Sequence, residues 1–302
     1  MPELKVKGIN IVETFAEAFP MVGTRVIITA PTAEWAMISA RTMTGFATSV
    51  IACGAEGGIE RTVPRKETPD GRPGVSVLLF TMDAGKLQTQ LRNRVGQCVL
   101  TSPGSACFAG LEGEKTLKLG ASLRFFGDGW QVSKVVGGRR FWRIPVMGGE
   151  FVCEDKTGLT KKAVGGGNLL ILGKTHDAVL AASTRAVKAM AEMPDVITPF
   201  PGGIVRSGSK VGSQYKGQIA STNHAYSPGL KHHADSELPP TTEAVLEIVI
   251  DGLTADAIHK AMHAGIHAIA KGGAREGITH ITAGNYGGNL GPHHFHLKEI
   301  VG

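Results

Sequence analysis

The chain has 302 residues, enough for one large domain or two medium ones with separate cores. Its 42% hydrophobic and 19% charged residues are an ordinary globular balance, and 41 glycines point to many tight turns rather than to disorder. The net charge of +6 attracts polyanions, but the basic residues form no arm and only 6% of residues are aromatic, so nucleic-acid binding is not expected.

No stretch approaches the roughly 20 apolar residues a membrane span needs, and MPELKVKGIN lacks an apolar signal core, so a cytoplasmic location away from membranes is expected. Cys53, Cys98, Cys107 and Cys153 are scattered, with no CxxC pair, and read as reduced thiols.

In chain order, 24–30 and 74–81 read as apolar strands, each followed by a helix-like run at 33–43 and 83–95. Apolar stretches at 48–53 and 97–101 close each unit as return strands. After the turn FFGDGW come strands within 139–152, split by Pro145 and Gly148-Gly149. We place the lobe boundary there, giving lobes 1–147 and 148–302.

The pattern then repeats. A strand at 168–172 leads to a helix at 177–193, whose Val179, Ala182, Ala186 and Met190 share a face, and to a strand at 196–198. A strand at 245–250 leads to a helix capped by Thr254, with Ile258, Met262, Ile266 and Ile269 on one face, and to a strand at 278–282. Split strand-helix-strand units favour an α+β protein of two ferredoxin-like α/β sandwich lobes with predominantly antiparallel sheets. Two glycine- and serine-rich loops, 200–215 and 220–230, interrupt the scaffold, and such loops carry sites more often than cores do.

Strict alternation in AVLEIVID puts Leu246, Ile248 and Ile250 on one face and Val245, Glu247, Val249 and Asp251 on the other. A carboxylate between two valines has its pKa raised by desolvation, which suits proton transfer near neutral pH; a solvated sheet face is the plainer alternative. Around Lys210, the residues Arg206, Ser207, Ser209 and Ser213 among glycines offer donors to a polar ligand, without the order of a Walker loop. GGGN at 165–168 precedes a strand and is a poor dinucleotide fingerprint. His259, His263 and His267 stack along one helix face, but no HExxH accompanies them, and they read as a solvated face. The same holds for His232, His233, His293, His294 and His296. No GxSxG elbow is present, and no Cys-His or Ser-His pairing can be read from spacing, so no nucleophilic triad is expected.

Strung along the chain, TFAEAF from Thr14, EWAMI from Glu34, TGFATSVI from Thr44, ETPDGRPGV from Glu67 and GQC from Gly96 resemble the formylmethanofuran:tetrahydromethanopterin formyltransferases. The likeness continues through FFGDG from Phe125, PFPGGIV from Pro199, SKVGS from Ser209, STN from Ser221, EIVIDGL from Glu247 and AGNYGG from Ala283.

This resemblance implies two α/β lobes and oligomers, dimers or tetramers, with the cleft between subunits. It implies reversible formyl transfer between methanofuran or methylofuran and N5 of tetrahydromethanopterin or its dephospho form, without metal or covalent enzyme intermediate. Glu247 is then the proton-handling carboxylate, and Ser207, Ser209, Lys210, Asn223 and Tyr226 are candidates to bind the formyl oxygen and the carriers. The positive charge differs from the acidic character associated with members from salt-rich archaeal cytoplasm. It accords with a methylotrophic bacterium, for which the resemblance implies hydrolase partners in a formyltransferase/hydrolase complex. The rival readings are a carrier-binding scaffold subunit without turnover and a histidine-rich metallohydrolase.

Overall fold

The computed structural model describes residues 4–233 and 235–302. The first three residues of the sequence-based N-terminal lobe lie outside the described residues. Two compact units form, one from residues 21–163 and the other from 164–302 joined by the chain's first segment through Pro20. The early strand Ile9–Ile11 pairs with Ile278–Thr282, and the start of Phe15–Thr29 pairs with His293–His296, so residues 4–20 pack with the end of the chain.

Within residues 21–163, the strand through Thr29 leads to helix Ala33–Thr44, strand Glu56–Val63, strand Gly74–Thr81, helix Ala84–Arg94 and strand Ala106–Ala109. The first strand lies between Gly74–Thr81 and Ala106–Ala109, and Glu56–Val63 takes the outer edge, every pairing antiparallel. Numbered by sequence, the order is 4-1-3-2, the split arrangement of a ferredoxin-like sandwich. Helices capped by Thr32 and Asp83 cover one face, over a core that includes Val26, Ile28, Val77, Leu79, Leu87 and Leu91.

The return strands differ from the sequence expectation. Val50–Cys53 is a helical turn, capped by Ser49 and ended by left-handed Gly54, and Val95–Val99 continues the preceding helix as a π turn. Short apolar runs fit a helix as well as a strand. The true return strand, EGGIERTV, carries glycines and charges. Its Glu60 is buried because Arg25 grips it with two bonds of 2.7 and 2.6 Å and the Ser76 hydroxyl donates at 2.6 Å. Beyond it, Val132–Val136, Arg139–Val146 and Gly149–Glu154 form an antiparallel meander beside Ala106–Ala109. Pro145 sits inside the middle strand of this meander rather than breaking it.

The other unit repeats the plan. Strand Thr160–Gly173, from Val164 on, is followed by helix His176–Met190, strand Val196–Ile197, strand Ala244–Gly252, helix Ala255–Ile269 and strand Ile278–Thr282. The order is again 4-1-3-2 and antiparallel. Thr254 accepts from the Ala257 amide, and Ile258, Met262, Ile266 and Ile269 are buried, as the spacing requires. The fold is thus α+β with mainly antiparallel sheet. No helix among the described residues is long and apolar enough to cross a membrane.

Candidate active site

Strand Ala244–Gly252 turns Leu246, Ile248 and Ile250 into the helix-side core. Its opposite face carries Val245, which packs with Leu170, Leu172, Leu238 and Tyr226, and Glu247 beside it. Val205 lies along the strand's edge, its amide donating to the Glu247 carbonyl at 2.7 Å and its carbonyl accepting from the Glu247 amide at 3.0 Å. The chain regains that edge through Gly203, at φ +78°, where a Cβ would meet Thr198 and Val187 atoms at 2.6 Å. This pairing delivers Arg206, Ser207 and Gly208 over Glu247. With Asn223, Tyr226 and Pro228 they line a pocket of about 80 Å³ whose floor is Leu170 and Glu247.

Glu247 is only 8% exposed, and among the described residues nothing donates a hydrogen bond to its carboxylate. Burial in this apolar setting pushes its pKa up to about 7. A carboxylic acid poised there gives or takes a proton at neutral pH with little driving force either way.

A second pocket, of about 360 Å³, shares Asn223 and Tyr226 and adds Thr14, Lys210, Gly284, Asn285 and Tyr286. Tyr226 donates to Glu237 at 2.5 Å; burial first, then that carboxylate, raises its hydroxyl well above the usual phenol range. Tyr286 donates to the Ser209 carbonyl at 3.1 Å. Burial and the nearby charges of Glu247 and Glu17 push Tyr286 up to about 12, so it stays a neutral donor.

The glycine-rich loop bearing Tyr286 is held from below. Buried Glu17 accepts amide bonds from Tyr286 at 2.8 Å, Gly288 at 3.0 Å and Gly291 at 3.1 Å, and a further one from Leu290. Burial alone raises a carboxyl pKa, but these four donors together hold Glu17 below the usual range. Asn168 fixes the loop's start by accepting from the Gly284 amide and donating to the Gly166 carbonyl at 3.0 Å.

The structure therefore brings Glu247, Ser207, Asn223 and Tyr226 together and puts Lys210 on the adjoining pocket. Ser209 is exposed, and its backbone carbonyl, not its hydroxyl, takes part. Glu17, Asn168 and Tyr286 are absent from the sequence-based site. Glu17 carried a legible signal of the same kind as Glu247, a lone carboxylate between alanines in an apolar strand. The histidines do not converge: His263 and His267 are exposed with rings 4.3 Å apart, and no cluster of three or more metal-ligating side chains occurs among the described residues.

A formylmethanofuran–tetrahydromethanopterin formyltransferase of Methylococcus capsulatus is 60% identical over 296 residues, covering 98% of this chain and 99% of that one. One of the subunits of the Methylorubrum extorquens formyltransferase/hydrolase complex is 55% identical, covering 100% and 98%. A chain of the crystal structure of that complex with methylofuran matches at 54% identity and a TM-score of 0.97, covering 100% and 99%. The Methanosarcina barkeri enzyme matches at 45% and 0.93, covering 98% and 100%. The family model described as formylmethanofuran-tetrahydromethanopterin formyltransferase matches residues 4–146, and the one described as its proximal lobe, FTR, matches residues 149–300. Matched along nearly its whole length, the chain belongs to the formylmethanofuran–tetrahydromethanopterin formyltransferase family.

Proposed function

We propose that this chain transfers a formyl group between formylmethanofuran, or its methylofuran counterpart, and N5 of tetrahydromethanopterin or its dephospho form. The single observation that carries the mechanism is Glu247, buried and held near pKa 7 at the floor of a pocket lined by polar groups. The N5 lone pair attacks the formyl carbon and the carbonyl π pair moves onto oxygen. Collapse of that tetrahedral adduct expels the furan carrier's amine. N5 sheds a proton and the leaving amine takes one up, so one carboxylate cycling at neutral pH serves both transfers. No bond to the protein is needed; the site orients two carriers and stabilises the oxyanion.

Asn223 and Ser207 are the groups that face the developing oxyanion. The hydroxyl proton of Tyr226 is committed to Glu237, so Tyr226 serves as a wall and holds the 223–237 loop. Lys210 meets acidic groups of a carrier in the adjoining pocket. The likeness to a chain of the Methylorubrum extorquens complex supports a place beside hydrolase subunits. Four free cysteines accord with a cytoplasmic setting.

The test is formyl transfer from formylmethanofuran to tetrahydromethanopterin by the purified chain, with the product identified by mass. Turnover that disappears in Glu247→Gln supports the reading, and undiminished turnover in that variant removes Glu247 from the mechanism. Binding of both carriers without turnover, even with hydrolase subunits added, points instead to a scaffold.

A further inference from the structure

Residues 21–163 hold a cleft that formyl transfer leaves unused. It has a volume of about 670 Å³, within the range of small-molecule sites, and its walls carry Arg92, Lys118, Arg124 and Arg140. Among the described residues none of these four has a carboxylate partner; Arg140 instead donates to the Ser133 hydroxyl at 2.7 Å. Neighbouring Arg143 is by contrast paired with Glu150.

The cleft's framework is tied in place. Arg124 lies against two rings, its guanidinium carbon 4.8 Å from the Phe125 centroid and 4.7 Å from that of Trp142. The cleft's one carboxylate, Asp155, accepts from the Trp142 indole at 2.6 Å, while its backbone carbonyl takes the Leu119 and Ala121 amides. Asp155 thus fixes the ring that carries Arg124 and is not spent in neutralising it. Gln88 exchanges two bonds with the Lys118 backbone, at 2.8 and 2.7 Å, which fixes where that cation leaves the chain.

Four cations of one sign, one of them stacked so that its N–H edges stay available, suit a ligand with several oxyanions in a row. Arginine forks pair with carboxylate or phosphate oxygens. We infer that this cleft binds a small oligoanion, a run of consecutive carboxylates or phosphates, with Arg124 and Trp142 as its anchor. The inference is independent of the formyl-transfer reading.

The test is calorimetric titration of the full chain with tripolyphosphate and with tetraglutamate at constant ionic strength. Saturable one-to-one binding of either is expected, and the tighter of the two names the oxyanion. Arg124→Met should weaken it about tenfold or more. The double change Arg92→Gln with Lys118→Gln, both on exposed side chains, should weaken it similarly without touching the aromatic stack. Arg41→Gln, which removes a surface charge elsewhere in the unit, should leave it unchanged. The inference fails if neither probe saturates, if Arg41→Gln weakens binding as much as Arg124→Met, or if a DNA duplex binds more tightly than both probes and displaces them.

Discussion

The Tyr286 amide donates to the Glu17 carboxylate at 2.8 Å across 269 residues of chain. That bond, with three others to the same carboxylate, ties a strand near the start of the chain to the loop that carries Tyr286, which lines a pocket with Asn223 and Tyr226. We propose that Glu17 is a positioning residue, acting on the site through Tyr286.

Glu17→Gln replaces an acceptor oxygen by an NH₂ group and leaves about two part-buried amides without that acceptor, at about 1 kcal/mol each. Both thermal stability and kcat should fall. The pH dependence has a definite sign. Because the folded-state pKa of Glu17 is lowered, its contribution is present above the ordinary value of 4.5 and is lost as pH falls through the folded-state value. Acid unfolding followed by circular dichroism should show a shallower acid limb in Glu17→Gln than in the wild type.

Glu247 has the opposite linkage. Its folded-state pKa is raised from 4.5 to about 7, so stability is lost as pH rises through that interval and levels off above it. Between about pH 4 and about pH 8 the stability difference should therefore move in favour of Glu247→Gln, by on the order of 3 kcal/mol. Denaturant titrations at the two pH values measure it. A difference that does not change with pH means that folding does not raise the pKa of Glu247.

Asn223→Ala should lower kcat by about 10²-fold, the scale of losing one oxyanion donor. Tyr226→Phe should lower it far less, since the Tyr226 hydroxyl donates to Glu237 rather than into the pocket. Steady-state kinetics on both variants decide whether the two residues have these different roles.

How much of this was legible in the sequence follows from which forces decide each element. The helices Ala255–Ile269 and His176–Met190 are set by local spacing and a threonine cap, and they stand where the pattern put them. Glu247 was legible because alternation in a short strand fixes which face a side chain takes. The strand Glu56–Val63 was not, since the burial of Glu60 is supported by Arg25 and Ser76, which are distant in sequence. The loop 284–291 has no periodicity of its own. Its shape comes from Glu17 and Asn168, so Tyr286 becomes a site residue only once the chain is folded. The Ser209 carbonyl's bond from Tyr286 likewise depends on the fold and is not legible in the local string.

Thr254→Ala removes the hydroxyl that accepts from the Ala257 amide and should cost about 1 kcal/mol of stability. kcat should not change, because the cap lies at the end of the strand remote from Glu247. Thermal unfolding and a standard activity assay separate the two effects.

The most direct measurement is kcat/KM against pH for formyl transfer to tetrahydromethanopterin, in the wild type and in Glu247→Gln. With Glu247 as the proton acceptor, the wild-type rate should rise through an apparent pKa near 7 and then level off. In Glu247→Gln that limb should vanish and the rate should drop by about 10²–10⁴-fold. The same limb with an undiminished rate in Glu247→Gln would contradict the assignment.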